Sequence, residues 1–494
     1  MADLGSAAAR GAAVTFAAQL ARVALQMGSI IVLARLLAPE QYGLMAIVLV
    51  FVGVGEVFRD FGLSTAAVRA PTVTPEQRSN LFWINLGIGA SLALALVLAA
   101  PVIARAFDEP AVAAVARGAS VVLLLNGMVT QYRADLVRRM RFGVLAVADV
   151  GAQTVAIAAA IGAAWAGAGV WALVLQQVLQ AFVLLCVLVV VGRWRPGRPR
   201  RRVPMRDFWQ FGWNLVASQL LGYLGNNIDS VVLGWRLGPA PLGLYDRGYK
   251  LVMTPVSQVR APSTTVALPV LARLRDEPAR FASFVARGQL ALAYPVMIGA
   301  ALLVGTAAPA SLLLLGPGWA GVGPVVRLLA ASALMQTLAY VGYWVYLTCG
   351  LTPELLRFTL VTISVKIVLV LVGSQWGVVG VAAGFALAHT LEWPLSIAWL
   401  ARLAPIDGGA LARGAVRIVV LGAAVAGAAH VVSGRVGTPW PATLAGIAAG
   451  LVVVAAGLAV PRYRRDAREV AEVLRRAVGR QSGEKRVGLS GPGS

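Results

Sequence analysis

Fourteen apolar stretches follow one another along the chain, separated by short polar interruptions. Their approximate limits are 12–36, 43–65, 81–101, 111–133, 143–164, 168–191, 209–236, 242–270, 284–308, 319–349, 353–373, 377–400, 409–432 and 438–461. Each is about as long as the roughly 20-residue helix that crosses some 30 Å of hydrocarbon. None alternates with period two as barrel strands do, and an open sheet cannot satisfy its backbone in lipid. The pattern predicts an all-α polytopic membrane protein with about 14 transmembrane helices.

Composition agrees. Hydrophobic residues make up 59% of the 494, charged residues 13%, and the mean hydropathy is +0.78. A soluble domain of this length needs far more polar surface. The opening "MADLGSAAARGAAV" lacks the short apolar core and cleavage site of a secretory leader and is expected to run into the first span. A net charge of +22 invites a nucleic-acid reading. The basic residues, however, lie between spans, where they are topogenic and favour anionic headgroups. They concentrate in alternate segments such as "RRMRF", "GRWRPGRPRRRVPMR", "ARLRDEPAR" and the tail after Pro461. That asymmetry predicts both termini in the cytoplasm and an even number of spans. Cys186 and Cys349 lie in apolar segments without metal-type spacing and read as small buried hydrophobes.

The most basic interruption, at 192–208, is read as a cytoplasmic linker between two halves. "SIIVLARLLAPEQYGLM" from Ser29 and "SVVLGWRLGPAPLGLYD" from Ser230 align with one residue of slippage. Ser29, Arg35, Leu36, Gly43 and Leu44 then match Ser230, Arg236, Leu237, Gly243 and Leu244, about 200 residues or six spans apart. Six is even, so the halves share one orientation, an arrangement of parallel repeats. The predicted architecture is an amino-terminal lobe at 1–191, the linker, a second six-helix lobe at 209–400, two further helices at 401–461 and a basic cytoplasmic tail at 462–494. The two lobes are pseudo-symmetric. The tail reads as a short amphipathic helix followed by a Gly/Ser-rich end.

Enzymatic chemistry is not written in the chain. It has no P-loop, HExxH, GxSxG or CxxC pair, and no inter-span loop is long enough for a catalytic domain. His389 and His430 stand isolated in late spans, so no metal site is predicted.

The first hairpin, "LARLLAPEQYGLMAIVLVFVGVGEVFRDFGLSTAAV", resembles the signature of bacterial oligosaccharide flippases. These form the polysaccharide transporter branch of the multidrug/oligosaccharidyl-lipid/polysaccharide exporter superfamily. "FGWNLVASQLLGYLGNNIDSVVLGWRLGPAPLGLYDRGYKLVMTPV" resembles the opening of that family's second half, and "ALPVLARLRDEPARF" falls where its cytoplasmic loop would. The resemblance covers at least residues 10–285. It implies two lobes in a V with alternating access, a cavity lined by spans 1, 2, 7 and 8, and residence in the bacterial inner membrane. It also implies a cargo of glycan on undecaprenyl pyrophosphate, a monomeric carrier, and neighbouring glycosyltransferases and a polymerase.

An ionisable side chain at mid-membrane costs about 2.5–3.5 kcal/mol on insertion scales, so each invites a functional reading. Arg22, Arg59, Lys250 and Arg260 on spans 1, 2 and 8 are the candidate substrate-binding cations. Arg59 and Arg260 occupy nearly equivalent repeat positions. A planar guanidinium fork suits pyrophosphate oxygens and does not deprotonate. The competing reading makes Arg59 an internal partner of Glu56, three residues back, and of the neighbouring Asp60. Glu56, Asp60, Asp149 and Asp229 are the candidate coupling or cavity acids, for Na⁺ or H⁺. Asp229, beside Asn226 and Asn227, can equally serve helix packing. Pro255, Pro262 and Pro269, seven residues apart on span 8, share one face and mark a candidate gate or kink. Arg117, Arg327, Lys366, Glu392 and Arg417 also fall within spans and read as structural pairs or cavity lining. A drug exporter of the same superfamily would favour an acidic or apolar cavity. A non-transporting cell-envelope scaffold would not need these cations.

Overall fold

Prolines and capping side chains open many of the helices. Pro39, Pro75, Pro239, Pro278 and Pro439 each stand first in one, where the missing N–H is not needed. Thr74 and Gln77 close a reciprocal capping box, with Gln77 N donating to Thr74 Oγ1 at 3.2 Å and Thr74 N to Gln77 Oε1 at 3.0 Å. A computed structural model of the chain describes residues 2–60, 74–200 and 206–472. Among them fourteen long helices follow the order of the apolar stretches. They are α1 (Ala2–Leu36), α2 (Pro39–Asp60), α3 (Pro75–Ala106), α4 (Ala111–Arg138), α5 (Phe142–Trp165), α6 (Val170–Gly192), α7 (Arg206–Leu237), α8 (Pro239–Arg273), α9 (Pro278–Leu315), α10 (Val322–Thr348), α11 (Thr352–Gly373), α12 (Gly377–Leu400), α13 (Gly408–Ser433) and α14 (Pro439–Gly457). A further helix, α15, covers 461–472.

Eleven described segments are long and apolar enough to cross a membrane, one of them holding both α11 and α12. α7 and α8 have the length, at 32 and 35 residues, but their described residues fall short of that apolarity. Polar residues at this density are tolerated in a span only where it faces protein or water.

The chain divides into two compact units, Met1–Asp246 and Arg247–Ser494. In the first, α3 packs on α4, α5 on α6 and α1, and α2 on α4 and α7. Phe82, Tyr132, Leu136, Leu145 and Leu188 form a core where α3 to α6 meet. The repeat shows itself at the start of α2 and α8. A methyl placed on Gly43 would overlap the Pro39-equivalent carbonyl, that of Pro239, and one placed on Gly243 would overlap the carbonyl of Pro39. Each repeat position therefore touches the image of its own neighbour, backbone to backbone, and only glycine leaves the room.

The segment after α6 is strapped to the start of α3. Asn80 clamps Arg200, accepting from its N–H at 2.8 Å and donating to its carbonyl at 2.7 Å. Gly197 N donates to Ser79 Oγ, and Trp83 Nε1 donates to the Gly197 carbonyl. The Trp194 ring lies beneath the Arg78 guanidinium at 4.0 Å and edge-on to Phe82 and Tyr132.

In the second unit α9 is the hub, packing on α10, α13 and α14, while α12 packs on α10 and α11. One core gathers Phe281, Val285, Trp344, Tyr346 and Phe358, and another Leu290, Met297, Leu338, Ile418 and Val425. Cys186 is exposed and Cys349 half-buried, and both are free thiols. The expectation of two buried cysteines is corrected for Cys186, whose side of α6 faces outward from the unit.

Candidate functional site

The candidate cations of the first unit are met by carboxylates. Arg22 on α1 lies 3.6 Å from Asp149 on α5, and Arg133 on α4 approaches the same carboxylate oxygen at 2.5 Å. Two cations on one anion leave a net positive charge there, and the Arg22 side chain stays 44% exposed. Sequence reasoning missed Arg133, which sits near the edge of its apolar stretch.

Arg59 forms the internal pair with Glu56, at 2.7 Å. It also reaches across to α4, where it donates to the Asn126 carbonyl at 3.2 Å and to Thr130 Oγ1. Asn126 Nδ2 in turn donates to Glu56 Oε1 at 2.8 Å. The side chain of Asp60 lies outside the described residues. Asp229 is buried and accepts from Tyr245 Oη at 2.5 Å, while its second oxygen has no hydrogen-bond partner among the described residues. Asn227 donates to the Tyr223 carbonyl one turn back, not to Asp229.

Arg260, in the second unit, repeats the geometry of Arg59 with different chemistry. It leaves α8 toward α10, where Nη1 lies 3.4 Å from Gln336 Oε1 and Cζ stands 5.7 Å over the Tyr340 ring. Asn126 and Thr130 are four apart on α4, and Gln336 and Tyr340 are four apart on α10, the fourth helix of its own repeat. The arginines are thus met by the same kind of helix face in both units. The counterpart of Glu56 is Ser257, so Arg260 has no salt-bridge partner among the described residues. Thr264, one turn further along α8, meets Tyr340 Oη at 3.0 Å and accepts from Trp344 Nε1 at 3.2 Å.

Around Arg260 the second unit gathers polar and aromatic groups. Tyr249 and Glu392 lie within its electrostatic range. Glu392 pairs with His389 Nδ1 at 2.6 Å, and the His389 ring stands edge-on to Phe385 at 4.5 Å. Lys366 on α11 is buried, its Nζ 5.4 Å from the Phe385 ring, with no ion pair or hydrogen bond among the described residues. Tyr249 packs edge-on to the other side of this group, 5.9 Å from Phe385. Lys250, the next residue on α8, is half-buried. Pro255, Pro262 and Pro269 share the exposed side of α8, and the helix runs through all three. The hydroxyls of Ser257, Ser263 and Thr265 donate to carbonyls three residues back along the same stretch. Arg117 is exposed and Arg327 half-buried, and Arg417 binds Asp466 on α15.

The all-helical scaffold with its run of apolar spans is that of a multi-pass membrane transporter. The chain belongs to the polysaccharide biosynthesis protein family, whose model matches residues 32–324. It is 22% identical over 384 residues to the lipopolysaccharide biosynthesis protein WzxC of Escherichia coli (strain K12), covering 76% of this chain and 77% of that protein. It is 29% identical to the succinoglycan biosynthesis transport protein ExoT of Rhizobium meliloti (strain 1021), over 62% of each. Its fold is similar to that of a solved structure of the lipid II flippase MurJ in its inward closed conformation, with TM-score 0.70 and 10% identity over 94% of this chain and 99% of that one.

Proposed function

We propose that the chain moves a glycan linked to undecaprenyl pyrophosphate from the inner to the outer leaflet of the bacterial cytoplasmic membrane, by alternating access, with both termini in the cytoplasm. The observation that carries this reading is the Arg260 cluster. Arg260 and Lys366 offer positive charge that no carboxylate pairs with among the described residues. Tyr249, Tyr340 and Phe385 surround them with rings. A pyrophosphate supplies the missing negative charge and several acceptor oxygens, and flat aromatic surfaces suit sugar faces. Arg22 and Arg133, sharing one Asp149, add a second positive locus in the first unit. Arg59 is the least available of Arg22, Arg59 and Arg260, because Glu56 already neutralises it. Coupling is assigned to a proton or Na⁺ taken up at Asp229, whose buried oxygen lacks a partner. The polysaccharide products named for the relatives support a glycan cargo, as does the lipid-linked one named for MurJ. Glycosyltransferases and a polymerase are the partners that such a cargo requires on either side of transfer.

The test is transfer of a fluorescent undecaprenyl-pyrophosphate glycan in proteoliposomes. Wild type is expected to move it, and Arg260→Ala to lose at least about 90% of the rate, the effect of one charge-assisted contact of 1.5–3 kcal/mol. Normal transfer by a folded Arg260→Ala protein would sink the reading. Transfer of a cationic drug in place of the glycan would return the chain to the exporter class.

A further inference from the structure

The end of α14 and the helix that follows it frame a cleft of about 590 Å³ that plays no part in the cargo site. Its floor is small and apolar: Ala455, Leu458 and Ala459 from α14 and the turn after it, with Ala467 and Ala471 from α15. Its rim carries Arg464 and Arg468, one turn apart on α15. The orientation of α15 is fixed from its opposite face. Asp466 is buried, with its two oxygens held by Arg417 at 2.9 and 3.0 Å and one of them by Tyr294 Oη at 2.6 Å. Tyr463 and Val470 pack beside it on the core of the second unit. Positions 463, 466 and 470 therefore point inward, and 464, 468 and 471 line the cleft. Arg464 Nε donates to the Leu458 carbonyl at 3.1 Å, which sets its guanidinium over the groove. Neither arginine has a salt-bridge partner among the described residues.

The apolar span of α14 ends at Gly457, and the cleft begins at Ala455. It straddles the level at which acyl chains give way to headgroups, with apolar walls on one side of that level and two guanidinium forks on the other. Residues 473–494 hold Arg475, Arg476, Arg480, Lys485 and Arg486 against Glu484 alone, so the chain's own tail is repelled by this rim. We propose that the cleft is a binding site for an anionic phospholipid, its phosphate on Arg464 and Arg468 and an acyl chain along Leu458 and the alanines.

The experiment is native mass spectrometry of the full chain titrated with phosphatidylglycerol and, separately, phosphatidylcholine of the same acyl chains. Phosphatidylglycerol is expected to bind tightly, with affinity about 30-fold weaker in the double variant Arg464→Ala/Arg468→Ala, from roughly one surface-lipid contact per arginine. The double variant Arg462→Ala/Arg465→Ala removes the same charge outside the cleft and is expected to change affinity less than about threefold. Ala471→Trp keeps all charge, fills the groove at an exposed position, and is expected to weaken binding as well. Equal loss in the two arginine doubles would mean diffuse attraction and overturn the site. So would phosphatidylcholine binding as tightly as phosphatidylglycerol, or glycerophosphoglycerol, which has no acyl chains, binding as tightly as the lipid. A gain in affinity on removing 473–494 would make the tail the occupant.

Discussion

Arg59 and Arg260 are repeat equivalents on the page of the sequence and opposites in the structure. A single difference three residues back, Glu56 against Ser257, decides it. Arg59→Ala strands Glu56 and breaks the bridge to α4, so it is expected to cost about 1–3 kcal/mol of stability, read as a lower thermal midpoint in detergent. Arg260→Ala is expected to leave that midpoint within about 0.5 kcal/mol of wild type while cutting transfer by at least about 90%, since it breaks no salt bridge among the described residues. Lys366 makes a sharper case. A buried ammonium with only a ring beside it is a stability cost, so Lys366→Met is expected to raise the midpoint by the equivalent of about 2 kcal/mol and to slow glycan transfer. A rise in both would make the lysine dispensable. The candidate cations were legible because charge inside an apolar run is conspicuous. Their partners were not, because Asn126, Thr130, Gln336 and Tyr340 are ordinary polar residues whose meaning lies in which helix they face.

The helices themselves were legible in number and order, since lipid leaves the backbone no other choice, while their ends ran past the apolar stretches, as at Ala2 of α1 and Leu315 of α9. Fourteen apolar stretches became fourteen helices among the described residues, including α7 and α8, which lie outside the eleven most apolar segments. The basic segment after α6 was not legible in the same way. Its prolines and arginines advertise a solvated linker, yet Trp194 pins it under Arg78 and Asn80 pairs with the Arg200 backbone. Trp194→Ala is expected to cost about 2 kcal/mol and to expose the segment to trypsin at Arg193 and Arg200, the arginines there that no proline follows. The first turns of α2 and α8 give the other element-level prediction. Gly43→Ala is expected to destabilise by at least about 1–3 kcal/mol, because the obstacle is the Pro239 carbonyl and backbone cannot rotate aside.

At the scale of the whole molecule, the second unit is locked from its far end. α15 inserts Asp466 between Arg417 and Tyr294, so the basic tail is an integral helix over 461–472, not a solvated end. Asp466→Ala is expected to cost about 2–3 kcal/mol, discounted because Arg417 is 30% exposed, and to increase hydrogen exchange across α15. The proposed cargo rests on kinship, because a cation cluster suits an anion and says nothing of which sugars follow it. The contact of Gly43 with Pro239, and of Gly243 with Pro39, carries a different kind of information. A surface that meets its own image is what two identical subunits present across a twofold axis. The two glycines are therefore one joint rather than two independent positions, and a side chain added at either is expected to disturb the same contact.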